Sequence, residues 1–504
     1  METHKRVFFN TLAQYIKAII NTCLSLYTVR LILSALGQSD YGIYSLIAGT
    51  IAMLGFVINA LVITTQRHLS YSQGGCDVSL QRKYFSNSLL LHIIVGIAIA
   101  LTLLLFQDYL CSVFFNIPAN RRYAASIVYI VMLTIMTLSF LSSPFKAAII
   151  AHENIIYISV IEVLDGVLKL LLAVALLQLQ TDKLVVYTII LLFIYLFELL
   201  SYALYTLKKY EECTLRKITT DFDRKIIYEI IGFAKWTTYG MGVVVTRTQG
   251  LSILLNKFFG TLTNASYGIA LQLYGAVSFV SSSVINAMNP ILMKSEGAND
   301  HQRMLRLAEK ECIYVESMMA ILFIPLIVEL EALLGIWLKE VPTHTAFLCR
   351  CLLISFLIDQ CTYGLNSANQ AMGNIKRYTV VMYTPKLAYL PLAYLFLKKG
   401  MGIESIMYLF IGIELFVALL RIPYLRYSAN LNIGRFLKNV FGRVCPLIVF
   451  MCIVTQTLHM MDYPFAFLPN LVLSFISGSI FIWLFVFGND ERRHIRNILK
   501  KQST

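Results

Sequence analysis

Asn10, Gln14, Lys17, Asn21, Ser25 and Thr28 step by three and four through an otherwise apolar stretch. At about 100° per residue, that spacing keeps all six within a sector of about 80° on one helix. A lysine among amides and hydroxyls can hold an anion and bond sugar-like hydroxyl groups, provided the face meets water. Lys235, Thr238, Tyr239, Thr246 and Gln249 repeat the pattern more loosely. Two readings are open: the stripes line an aqueous interior, or they are interhelical hydrogen-bond seams. Two matched stripes, each with a lysine, favour the interior. Arg30 lies nearly opposite the first stripe and Arg247 well off the second, positions that suit snorkelling or packing between helices.

Glu162, Asp165 and Lys169 fall on one helical face, with Asp165 and Lys169 at the i, i+4 spacing of an ion pair. Hidden from lipid, they are a candidate proton or sodium coupling site; a neutralised structural pair is the competing reading. Glu198, Asp359, Lys386 and Glu414 are single charges in apolar runs, each of which needs a partner or a wet cavity. Pro325, Pro385 and Pro391 also lie inside such runs, where bends are expected. No H-E-x-x-H, G-x-S-x-G or P-loop pattern occurs, and no catalytic residue, metal or cofactor is implied.

These residues must be positioned by membrane helices. The 504-residue chain is 58% hydrophobic and only 14% charged, with mean hydropathy +0.70, a composition outside the range of soluble globular domains. The ten cysteines form no C-x-x-C pair, and most, including Cys23, Cys312 and Cys452, read as small core residues. Apolar runs long enough to span a bilayer can be marked off fourteen times. The polar connector KKYEECTLRKITTDFDRK separates the sixth from the seventh. The expected organisation is an N-terminal six-helix bundle over 1–207, a cytoplasmic linker over 208–226, a second six-helix bundle over 227–424, and two additional helices with a cytoplasmic tail over 425–504. With the N-terminus inside, alternate loops and both termini hold 28 of the 42 lysines and arginines, Arg67, Lys146 and Arg421 among them. The net charge of +14 is therefore mostly a topology signal, and no nucleic-acid partner is needed to explain it.

The stretch from Arg30 to Asp77 returns in degraded form from Phe258 to Asp300. Tyr41-Gly42-Ile43 matches Tyr267-Gly268-Ile269, Val57-Ile58-Asn59-Ala60 matches Val284-Ile285-Asn286-Ala287, and both copies run into an S-[QE]-G segment. A repeat of about half the chain is the mark of a two-bundle transporter.

L-Y-x-x-R from Leu26 to Arg30, L-G-x-x-D-Y-G-I-Y from Leu36 to Tyr44 and Q-R-H-L-S-Y from Gln66 to Tyr71 carry a family resemblance, with A-H-E from Ala151, I-W-L from Ile336 and G-N-I-K-R-Y from Gly373. The chain resembles the Wzx-type O-antigen flippases of the polysaccharide transport family, within the multidrug/oligosaccharidyl-lipid/polysaccharide exporter (MOP) superfamily. The resemblance implies an all-α membrane protein of about fourteen transmembrane helices: two pseudo-symmetric six-helix bundles around a central cavity, plus two C-terminal helices suited to a polyprenyl tail. It implies a non-enzymatic flippase of the bacterial inner membrane, with both termini cytoplasmic. The substrate would be an undecaprenyl-pyrophosphate-linked glycan, and the partners membrane lipids and polysaccharide assembly proteins. Lys17 and Lys235 would hold the anionic head group, helped by Asn21, Gln14 and Tyr239, with Arg30 and Arg247 the next cations in line. Competing readings are a multidrug exporter of the same superfamily, a membrane-embedded polymerase or glycosyltransferase, and a scaffold for the assembly machinery. A drug exporter would favour an acidic cavity, and the connectors leave an enzyme little room.

Overall fold

The computed structural model describes residues 2–111, 117–178, 181–215, 220–338, 341–461, 467–488 and 492–493; at 2–9, 11, 26, 38–39, 261 and 265 it describes the backbone alone. Part of the expected linker and most of the C-terminal tail lie outside the described residues. So do the loop cations Arg216, Lys217, Lys339, Arg496, Lys500 and Lys501, and the side chains of Lys5 and Arg6.

The described residues form helices joined by short turns. We label them α1 (Leu12–Gly37), α2 (Asp40–Gly74), α3 (Val78–Leu105), α4 (Ala119–Ala151), α5 (Ile155–Gln178), α6 (Lys183–Lys209), α7 (224–260), α8 (Leu262–Gly297) and α9 (His301–Val328). There follow α10 (Thr345–Gln360), α11 (Tyr363–Met372), α12 (Ile375–Lys398), α13 (Ile403–Ala429), α14 (Ile433–His459) and α15 (Phe467–Val486). Among the described residues, eleven helices are long and apolar enough to cross a membrane, or twelve if the bent pair α10–α11 is one span. The chain is a multi-pass membrane protein. The sequence count of fourteen also includes α5 and α7, which fall outside the eleven or twelve because α5 carries Glu162, Asp165 and Lys169 and α7 carries a long polar face.

The repeated stretch builds the same local structure twice. α1 and α7 each run into the next helix through one glycine, Gly37 (φ 75, ψ 169) and Gly260 (φ 84, ψ 179). That backbone region is open essentially to glycine alone. At the far end, each copy closes on an aspartate that caps the following helix: Asp77 accepts from the Leu80 amide at 2.9 Å to start α3, and Asp300 from the Arg303 amide at 3.0 Å to start α9.

The chain forms two compact units. The N-terminal unit comprises Phe8–Met241 with Gly297–Asn299, so it holds the beginning of α7 as well as α1–α6; Phe85, Phe140, Tyr129 and Tyr202 lie fully buried in its core. The C-terminal unit comprises Met1–Val7, Gly242–Glu296 and Asp300–Thr504, with two apolar clusters, one around Phe323 and Phe436 and one around Tyr267 and Tyr389.

Two expectations need correction. Cys23 and Cys452 are exposed rather than core, because the outward face of a membrane helix is as apolar as its interior. α12 runs unbroken through Pro385 and Pro391, while a 49° bend occurs between α10 and α11, where there is no proline.

Candidate functional site

In the N-terminal unit the polar stripe of α1 meets α5. Asn10 donates to the Glu153 carbonyl at 2.8 Å and Asn21 to the Glu162 carbonyl at 3.3 Å, and Asn10 and Gln14 are buried. Lys17 donates to Glu162 Oε2 at 2.6 Å, and Lys146 of α4 donates to Glu162 Oε1 at 2.7 Å. One carboxylate thus holds two ammonium groups, one on each oxygen. One turn on, Lys169 donates to Asp165 Oδ2 at 2.7 Å and lies 4.8 Å from the Tyr195 ring centre. Glu162, Asp165 and Lys169 share a face as expected, but they belong to separate ion pairs. Lys146, counted above with the loop charges, is inside α4 as a partner of Glu162.

Of the other expected head-group residues, Lys235 and Tyr239 lie together near the start of α7, where Trp236 links them: the Lys235 ammonium is 5.8 Å from the Trp236 ring centre, and Trp236 meets Tyr239 edge-on at 6.1 Å. Lys235 and Arg30 are exposed, and neither makes an ion pair among the described residues. Lys17 and Asn21 meet Glu162 of α5 instead.

The Q-R-H-L-S-Y motif also has a structural role. Tyr84 donates to Glu229 of α7 at 3.1 Å, His68 Nε2 lies 3.5 Å from the same carboxylate, and Arg67 approaches it at 3.9 Å. The Arg67 guanidinium lies 4.7 Å from the Tyr71 ring and 5.5 Å from the Phe233 ring. The beginning of α7 is therefore fastened to α2 and α3 within the N-terminal unit. Arg67 is buried in this cluster and is not a loop charge.

The C-terminal unit contains a cavity of about 300 Å³ crossed by a chain of ion pairs. Arg247 donates to Glu414 at 2.5 Å, Lys386 lies 2.7 Å from the other Glu414 oxygen and 3.4 Å from Asp359, and Arg421 donates to Asp359 at 2.6 Å. The Arg247 guanidinium also stacks 4.2 Å from the Phe410 ring centre. Three cations therefore face two carboxylates. Tyr267, Tyr274, Ser278, Ser281 and Ser282 add hydroxyls to the lining. The chain of charges reaches the bend between α10 and α11, where a helix end would leave carbonyls without partners. Arg421 fills that need, donating to the Asp359 backbone carbonyl at 2.9 Å and lying 3.3 Å from the Thr362 hydroxyl. An excess positive charge among hydroxyls suits an anionic, hydroxyl-rich ligand.

The single charges Asp359, Lys386 and Glu414 thus find their partners in one another, in Arg247 and in Arg421. Arg421, grouped above with the loop charges, lies near one end of its span, and the structure places it buried within α13.

No protein-family model matches the chain, and no curated protein matches it in sequence. Solved structures do match in fold. A MOP superfamily transporter from Pyrococcus furiosus Vc1, described by the reverse polarity of its binding pocket, superposes with TM-score 0.71 at 14% identity, covering 85% of this chain and 96% of that one. An outward-facing multidrug resistance MATE family transporter of the MOP superfamily gives 0.70 at 15% identity, over 86% of this chain and 97% of that one. A MATE structure in a bent conformation gives 0.71 at 13%, over 87% and 97%. The chain has the fold of the MOP superfamily transporters.

Proposed function

We propose that the protein is a flippase carrying undecaprenyl-pyrophosphate-linked oligosaccharide across the bacterial inner membrane by alternating access. One observation carries the reading: in the cavity of the C-terminal unit the cations Arg247, Lys386 and Arg421 outnumber the carboxylates Asp359 and Glu414. A diphosphate carries at least two negative charges, and its removal from water requires replacement contacts. A cationic drug would call for the opposite balance. In this reading all fourteen expected helices span the membrane, the two bundles are related by an axis along the membrane normal, and both termini are cytoplasmic. α14 and α15 accommodate the polyprenyl tail, and assembly proteins receive the glycan outside.

Lys235 is the cation we assign to capture of the head group, with Tyr239 beside it. Lys17 plays a lesser part, since Glu162 already offsets its charge. In cells lacking their native flippase, with protein abundance checked, Lys235→Gln reduces translocation about tenfold, the scale of one charge-assisted contact, and Lys235→Arg restores part of it. Lys17→Gln has the smaller effect. Normal translocation by Lys235→Gln removes the residue assignment. Drug efflux without glycan translocation by the unaltered protein removes the flippase reading. Cysteines placed at Gln38, Thr181 and Lys399, in a background without reactive cysteines, label from outside, whereas those at Ser79 and Thr219 do not. Reversed labelling at more than one of them removes the topology.

A further inference from the structure

Two carboxyl groups in the C-terminal unit differ from every acid described above. Glu311 and Glu316 of α9 are completely buried. They are five residues apart, about 140° around the helix axis, and so face different neighbours. Ser367 of α11 donates to Glu311 Oε1 at 2.7 Å, and Glu311 Oε2 has no hydrogen-bond partner. Neither oxygen of Glu316 meets a nitrogen or oxygen donor; the Cys361 thiol, between α10 and α11, is the weak donor that faces it.

The charged and titratable groups around the pair offer no compensation. Tyr363 of α11 and Cys312 of α9 lie near Glu311, while Cys361 and Cys445 of α14 lie near Glu316. None of these carries a positive charge. Arg421 of α13, the cation that acts on Cys312, gives its hydrogen bonds to Asp359 and Thr362, while Arg350 of α10 pairs with Glu331 and Arg443 of α14 donates to the Val486 carbonyl. On α9 itself, Glu309 is directed elsewhere, to Asn439 at 3.1 Å and Arg435 at 3.7 Å.

An ionised carboxylate in such a place would cost far more than a protein can offset, and the group instead takes a proton. Glu162, Asp165, Asp359 and Glu414 are different, since each touches an ammonium or guanidinium that stabilises its charge.

We propose that Glu311 and Glu316 form a proton-binding site, loaded while α11 covers α9 and emptied when the bent pair α10–α11 moves away. In the packed state each carboxyl oxygen that takes a proton forms an O–H bond and the acid is neutral. When water reaches the site, that bond breaks, the proton leaves to water, and the carboxylate is hydrated. The bend at Cys361–Thr362, adjoining Glu316, is where the backbone yields. The coupling ion is thus a proton taken up in the C-terminal unit, and not an ion at the α5 cluster of Glu162, Asp165 and Lys169. The inference concerns the driving ion and is independent of the cargo.

The test is infrared difference spectroscopy of the full-length protein in liposomes, titrated with protons alone. The unaltered protein shows a carbonyl band of protonated carboxylic acid at neutral pH. Glu311→Gln and Glu316→Gln each remove part of it, their combination removes both parts, and Glu162→Gln leaves it in place. A band unchanged by the combined substitution overturns the proposal. The conservative variants Glu311→Asp and Glu316→Asp retain a shifted band, which separates loss of the proton site from loss of the fold. In vesicles loaded with lipid-linked glycan, an imposed pH gradient accelerates the unaltered protein, and the doubly substituted protein loses that acceleration; acceleration that survives overturns the proposal even where the band is lost. Because the band is read without glycan, an intact band with no glycan translocation counts against the cargo reading alone.

Discussion

Arg421 holds Asp359 at two points, donating to its carboxylate at 2.6 Å and to its backbone carbonyl at 2.9 Å. One side chain of α13 thereby neutralises a half-buried acid and completes the hydrogen bonding of a helix end. A planar guanidinium with several fixed donors can serve both purposes, whereas an ammonium acts as a point charge. Charge balance and backbone geometry at the bend are therefore linked through one residue.

Arg421→Gln leaves Asp359 with Lys386 at 3.4 Å and the carbonyl without its donor. The expected loss of stability is about 3–5 kcal/mol, the cost of removing one partner of a buried pair, and Arg421→Lys falls between it and the unaltered protein. Unfolding in detergent measures both. Asp359→Asn combined with Arg421→Gln recovers part of the loss; purely additive losses would contradict the pairing.

Gly37 and Gly260 make a separate prediction. Neither has an atom within 4 Å of an added Cβ, so Gly37→Ala and Gly260→Ala meet no steric obstruction and suffer only from their backbone angles. Each is expected to cost about 1–3 kcal/mol, read as a lower melting temperature with the helical signal retained. A neutral outcome at either site would mean that the chain relaxes into an ordinary turn there.

The connector after α6 supplies a pH dependence outside the membrane helices. His152 Nε2 lies 2.5 Å from Glu212 Oε1, and the His152 ring stacks 3.7 Å from that of Tyr210. Burial alone would raise the Glu212 carboxyl, but the hydrogen bond and charge of His152 outweigh it and leave the carboxyl below the ordinary glutamate range. A group depressed in this way stabilises the folded connector above its unfolded value and loses that contribution as the pH falls through its folded value. Amide exchange at residues 210–215, corrected for intrinsic rates, is therefore slow at neutral pH and accelerates in acid. His152→Gln should weaken this dependence, leaving the smaller contributions of the backbone and Gln73; an undiminished dependence points to another group.

How far the sequence could be read depends on the range of the interactions. The stripe on α1 and the grouping on α5 were legible because helical periodicity is local, and so was the i, i+4 bond from Lys169 to Asp165. The repeat was legible because Tyr41-Gly42-Ile43 and Val57-Ile58-Asn59-Ala60 return in order, whereas the turn glycine and capping aspartate shared by both copies emerge only in the structure. Pairing across the fold was not: Lys17 meets Glu162 at a separation of 145 residues, and Arg247 meets Glu414 at 167. Lys146 and Arg421 were read as loop charges because near a helix end the same lysine or arginine can reach water or turn inward, and only packing decides which. The bend after Gln360 carries no proline to announce it. Glu311 and Glu316 lie close to one end of an apolar run, where acidic residues ordinarily reach water.

The chain of charges between Arg247 and Arg421 also determines what can fill the space around it. Hydrocarbon cannot satisfy five ionised side chains and a ring of hydroxyls, so neither lipid tails nor dry packing can close this space. The C-terminal unit thus carries a polar space that only hydrogen-bonding occupants can fill. Whatever enters such a space must exchange one hydrogen-bonding medium for another, and the match that its serines, tyrosines and charges offer decides what it admits.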